Sequence, residues 1–128
     1  MKPALKFYSG GCHCGAVQYK VRLPANLEVH RCNCSICQKC GFLHLIVNAA
    51  DFELIKGAGN LNEYNFNSGV ARHLFCKHCG VKSFYVPRSH PDGYSVNFRC
   101  VDLPGSLACK IIDFDGRNWT ENIAKITE

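Results

Sequence analysis

The chain has 128 residues, 47% of them hydrophobic and 20% charged, a composition that belongs to a folded domain and excludes a disordered segment. Its formal charge of +5 counts every thiol as neutral; seven zinc-bound thiolates at −1 and two zinc ions at +2 would bring it to about +2, which removes the electrostatic case for nucleic acid. No apolar run approaches the ~20 residues that cross a bilayer, and no apolar stretch follows the lysines of the N-terminus, so neither a membrane span nor a secretory signal is expected and the location expected is cytoplasmic.

Residues 15–23 alternate. Val17, Tyr19, Val21 and Leu23 fall on one face and Gln18, Lys20 and Arg22 on the other, which predicts a half-buried strand. Further strands are expected at Phe42–Val47, Phe52–Ile55, Asn62–Phe66, Val70–Phe75, Val81–Val86, Tyr94–Phe98 and Ala108–Phe114. Turn residues separate them: Gly57 to Asn60, Asn67 to Gly69, His90 to Gly93, and Asp115-Gly116. Short strands at this spacing predict a mainly β chain with antiparallel sheets, organised as one domain over residues 1–128. A short C-terminal helix is expected after Asn118, which would cap it with Glu121 at the third helical position. Trp119, Ile123 and Ile126 would form its apolar side, with Trp119 as a core anchor.

Ten cysteines in a chain without a signal point to metal ligation rather than to disulfides, because cytosolic thiols stay reduced. Seven fall in three clusters: Gly11-Cys12-His13-Cys14-Gly15, Cys32-Asn33-Cys34-Ser35-Ile36-Cys37, and Cys76-Lys77-His78-Cys79-Gly80. A tetrahedral zinc needs neighbouring sulfurs about 3.8 Å apart. Same-face residues of a strand stand about 6.6 Å apart, so both spacings require tight turns, and Gly11, Gly15 and Gly80 supply them. Two pairs make one closed four-sulfur site and a trio makes an open one; closed suits a structural ion, open a catalytic ion. Cys12, Cys14, Cys76 and Cys79 are therefore expected to hold a structural zinc, and Cys32, Cys34 and Cys37 a second zinc. Spacing leaves two alternatives open: Cys40 closing the trio, and an iron–sulfur cluster.

These three clusters, in this order, closely resemble the family of the glutathione-dependent formaldehyde-activating enzyme, Gfa, which includes centromere protein V. The resemblance spans about residues 8–120. Ser83-Phe84-Tyr85-Val86-Pro87-Arg88-Ser89 resembles the centromere protein V branch in particular, as does Asp113 through Trp119. The resemblance implies an Mss4-like fold of several coiled antiparallel sheets. It also implies the same division of ligands: Cys12, Cys14, Cys76 and Cys79 for structural zinc, Cys32, Cys34 and Cys37 for catalytic zinc. The implied activity is that of a carbon–sulfur lyase handling a thiol–aldehyde adduct, with a small thiol such as glutathione as partner. The alternative is a non-catalytic zinc module that binds proteins, and a third is a thiol or metal buffer.

An anionic thiol such as glutathione calls for cations, and Lys39, Arg72, Lys77, Arg88 and Arg99 are the candidates. His30 and His44 flank the trio as candidate acid–base groups. His13 and His78 lie inside the motifs, where pointing outward is the expectation and a spare ligand role the alternative. Ser35 and Tyr85 are candidate hydrogen-bond donors to a substrate. Cys100 and Cys109 lack paired spacing and read as small core residues.

Overall fold

The computed structural model describes residues 5–66, 69–105, 107–118 and 120. Ten strands follow one another: β1 (Leu5–Gly11), β2 (Gln18–Pro24), β3 (Asn26–Cys32), β4 (Leu43–Asn48), β5 (Phe52–Lys56), β6 (Leu61–Tyr64), β7 (His73–Cys76), β8 (Phe84–Tyr85), β9 (Gly93–Asn97) and β10 (Ala108–Phe114). Helix α1 (Ser35–Cys40) lies between β3 and β4. The mainly β class expected from the sequence holds. Helix α1 lies in the middle of the chain; of the one expected after Asn118, Thr120 is described and is helical, and the rest falls outside the described residues.

The strands form three sheets, in the orders β1-β2-β5, β10-β3-β4-β9-β8 and β6-β7. The pairings are antiparallel except β10 with β3, which is parallel. The expectation of antiparallel sheets holds, and that pair is the one parallel addition to it among the described residues. Its register sets Ile112 beside His30 and Phe114 beside Cys32, and an ion pair of 2.6 Å between Arg31 and Asp113 spans it. The parallel pairing carries the end of β10 to the cysteines that close β3.

The alternation in β2 does what its period demands. Val17, Tyr19, Val21 and Leu23 are all 2% exposed or less, and burial of each such side chain stabilises the fold by about 1.5–3 kcal/mol. Tyr19 packs at a tilt against Phe52 and meets Phe84 edge-on, while its hydroxyl donates to the Ser83 carbonyl at 2.9 Å. Leu27 and Val29 of β3, with Leu45, Val96 and Phe84, continue the core into the five-stranded sheet.

Helix α1 starts from Cys34, whose backbone is extended and whose carbonyl accepts from Gln38 N at 3.0 Å. No side chain caps the helix, so the Cys34 sulfur is left for other partners. Three residues on, Cys37 is the buried residue of the helix. A helical side chain leans toward the N-terminus, which brings the Cys37 sulfur back to Cys34.

Candidate metal centres and the cavity

The sulfurs of Cys12, Cys14, Cys76 and Cys79 lie within 4.8 Å of one another, as do those of Cys32, Cys34 and Cys37. Both groupings are those expected from the spacing.

In the quartet, Cys14 Sγ stands 3.7 Å from Cys12 Sγ and 3.6 Å from Cys76 Sγ. The spacing in a tetrahedral four-sulfur zinc site is about 3.8 Å, so the residues present fit a metal of that kind. Two turns make the fit. One closes with Cys12 N donating to the Val17 carbonyl at 3.0 Å, the other with Gly80 N donating to the Cys76 carbonyl at 2.8 Å. Gly15 and Gly80 have φ of 82° and 76°, where a Cβ would strain the backbone. Amide N–H groups of Val17 and His78 point at the sulfurs of Cys12 and Cys76, at 3.3 and 3.4 Å.

Four crowded sulfurs cannot all ionise without a cation. The amides of Cys14 and Val81 pull the Cys79 thiol down to about 6, and the amide of Cys79 lowers Cys76. The Ala16 amide favours the Cys14 thiolate but is outweighed by desolvation and the sulfurs of Cys76, Cys12 and Cys79, which push Cys14 up to about 11.

In the trio, hydrogen bonds from the thiols of Cys32 and then Cys37 hold the Cys34 thiol far below the usual thiol range. Cys37, facing both other sulfurs and largely buried, is pushed well up. Cys40 stays outside the group, exposed at the end of α1, so the trio is not closed by it. Neither His13 nor His78 joins the quartet. Both are exposed, and His78 Nε2 lies 3.1 Å from Asn60 Oδ1.

The trio sits in the wall of a cavity of about 370 Å³. One face of the five-stranded sheet forms its floor, with Cys32 and His30 from β3, His44 and Ile46 from β4, and Tyr85 from β8. An aromatic run leads inward: Phe66 stacks on His73 at 5.3 Å, and His73 on Tyr85 at 5.1 Å. Lys82 Nζ lies 2.7 Å from His73 Nδ1 and 4.0 Å from the Tyr85 ring centre. Burial lowers the Lys82 ammonium, against the nearby sulfurs of Cys37, Cys40 and Cys34.

Of the five candidate cations, Arg88 lines the cavity, whereas Lys39, Arg72, Lys77 and Arg99 do not. Arg72 is paired with Glu63 at 2.9 Å. Ser35 and Tyr85 both line it, and so does Arg117, which the sequence reading did not single out. Arg117 Nε donates to the Asn33 carbonyl at 2.9 Å, and its guanidinium reaches Gln38 Oε1. Asn33 Nδ2 donates to Asp115 at 3.0 Å. The segment after β10 therefore clasps the loop between the first two cysteines of the trio. Cys109, expected in the core, is exposed, and Cys100 is half-buried.

Residues 7–117 match the family described as glutathione-dependent formaldehyde-activating enzyme, and the chain belongs to that family. A Halomonas elongata protein named "Putative glutathione-dependent formaldehyde-activating enzyme" is 35% identical over 79 residues, covering 55% of this chain and 50% of that protein. The chain thus spans about half the length of the curated relative it matches. A crystal structure of a Rhodobacter sphaeroides protein superposes with a TM-score of 0.67 at 31% identity, covering 80% of this chain and 99% of the other.

Proposed function

We propose that the chain binds two zinc ions and uses one of them to handle a thiol–aldehyde adduct, glutathione with formaldehyde or a related aldehyde. The observation that carries this reading is the position of the sulfur trio in the wall of a cavity of about 370 Å³. Zinc is favoured because seven thiolates are soft donors, and because four sulfurs within 4.8 Å of one another enclose one ion and leave no room for a multi-iron cluster.

The quartet is the structural site. It ties Cys12 to Cys79 and draws the turn after β1 onto the turn after β7. The trio is the working site: Cys32, Cys34 and Cys37 would hold an ion with an exchangeable fourth position, and such an ion would supply the deprotonation of a thiol. The protein supplies the rest. Arg88 and Arg117 at the cavity stand where carboxylates of a glutathione-like thiol would be received. The thiolate then attacks the aldehyde carbon to give an S-hydroxymethyl adduct, and the reverse step cleaves the carbon–sulfur bond, which makes the class a carbon–sulfur lyase. A cytoplasmic setting suits ten cysteines of which none is joined in a disulfide.

The competing reading, a non-catalytic zinc module that binds proteins, has no use for a cavity of this size beside one metal site, and the cavity favours the enzyme. The test is glutathione-dependent consumption of formaldehyde by zinc-loaded protein, lost in Cys37→Ser. Identical consumption with and without the zinc-loaded protein would remove the enzyme reading.

A further inference from the structure

Two histidines on the cavity floor each have a nitrogen left over. His30 and His44 are register partners across β3 and β4, and both line the cavity with the sulfur trio. His30 Nδ1 and His44 Nε2 are buried and lack a hydrogen-bond partner. Leaving a buried polar atom unpaired costs the full desolvation of that group. Two such atoms on neighbouring strands, at a cavity, point to a polar partner that arrives with the ligand.

The orientation of His44 is fixed from its other side. Its Nδ1 lies 2.8 Å from Ser95 Oγ and 3.3 Å from Tyr85 Oη. The ring is 5% exposed and packs on Phe42 at 4.6 Å. Two hydroxyls converge on one ring nitrogen, and with Nδ1 assigned as the acceptor the ring proton falls on Nε2.

We propose that the His30–His44 pair is the oxygen-binding subsite of the cavity, with His44 Nε2–H donating to the aldehyde-derived oxygen and His30 Nδ1 accepting from it once it is a hydroxyl. This rests on the thiol–aldehyde reading of the cavity. It also meets a need of that reading: three thiolates donate so much charge to one zinc that the ion polarises a carbonyl weakly, and the oxygen must be stabilised elsewhere. In the addition, a carbon–sulfur bond forms as the carbonyl π bond breaks, and its electron pair moves to oxygen, facing His44 Nε2–H. The proton that left the thiol ends on that oxygen, so the step is neutral overall and consumes no co-reactant. The reverse step returns the carbonyl and the thiol.

The experiment compares two stable analogues by calorimetry on zinc-loaded full chain: S-(2-hydroxyethyl)glutathione and S-propylglutathione, which differ by hydroxyl against methyl. The wild type is expected to prefer the hydroxyl analogue about 10-fold. His44→Phe should bind both alike, and His44→Gln, which restores an N–H near the Nε2 position, should recover part of the preference. Equal binding by the wild type, or a preference that survives in His44→Phe, overturns the proposal. Imidazole ¹⁵N shifts of the wild type give a readout that needs no variant. The Nε2–H form of His44, with a signal that moves on adding the hydroxyl analogue, supports the subsite; the Nδ1–H form, or an unmoved signal, overturns it. If neither analogue binds, the glutathione reading fails separately, and the same ¹⁵N signal is titrated with formamide as an unreactive carbonyl. A saturable shift then keeps the subsite, and no shift removes it.

Discussion

Gly116 lies against Cys32 so closely that a methyl group added to it would overlap the Cys32 sulfur and stand 3.0 Å from Cys34 Cβ. The parallel pairing of β10 with β3 creates this approach, because Phe114 stands beside Cys32 in the register. Gly116→Ala should therefore push the clasping segment off the trio while sparing the quartet. The expected result is a fall from two bound zincs per chain to one, with thiol-dependent turnover reduced by at least about 10-fold, or 1.4 kcal/mol. Metal analysis of the purified variant reads this directly.

The two sites should fail differently. The quartet joins Cys12 and Cys14 to Cys76 and Cys79, far apart in the chain, and Cys76 is 1% exposed within the core. Cys76→Ser should cost more than about 4 kcal/mol, the range of mutations that remove a structural metal. Cys37→Ser should abolish turnover with a smaller loss of stability. Denaturant melts of the two variants, beside activity, separate the outcomes.

Arg117 reaches the Asn33 carbonyl and also lines the cavity. Arg117→Ala should raise KM for glutathione about 10-fold, the worth of one charge-assisted hydrogen bond, with little change in kcat. Arg99→Ala, away from the cavity, should leave both unchanged. Steady-state kinetics on the two variants make the comparison, with zinc content as the control.

Acid should loosen the fold through the histidines. Burial first, and then the Lys82 charge, lower His44 to about 3 and His73 to about 4. An unfolded histidine takes its proton near pH 6.5. Between these values the unfolded chain binds more protons than the folded one, so stability is complete above about pH 6.5 and falls as the pH drops toward 4. His73→Phe keeps a ring between Phe66 and Tyr85 but cannot titrate. Its Tm should fall less steeply than the wild type's over that window.

The grouping of the cysteines was legible in the sequence, because cysteine spacing is a local signal. The pairs at 12 and 14 and at 76 and 79, and the trio at 32, 34 and 37, meet as the spacing predicted. The β2 alternation was equally plain. What was hidden depended on contacts between distant segments. Strand β1 shows no clean alternation, and its Phe7 is 59% exposed. Strand β3 had a signal, the alternation of Leu27 and Val29, interrupted by charged neighbours. Helix α1 is six residues long and carries three polar or charged side chains, too short for a helical period to stand out. Arg117 and Gly116 reach the trio only through the β3–β10 pairing, which no local pattern announces. Cys109 read as core because cysteine is usually buried, but the edge position of β10 leaves it exposed.

The central claim is that the seven clustered cysteines make two zinc sites with different jobs. Metal quantification on the purified chain, before and after glutathione is added, tests it most directly. The account predicts two zincs per chain, with glutathione perturbing only the one held by Cys32, Cys34 and Cys37. A single zinc, or a glutathione response at the quartet of Cys12, Cys14, Cys76 and Cys79, would contradict it.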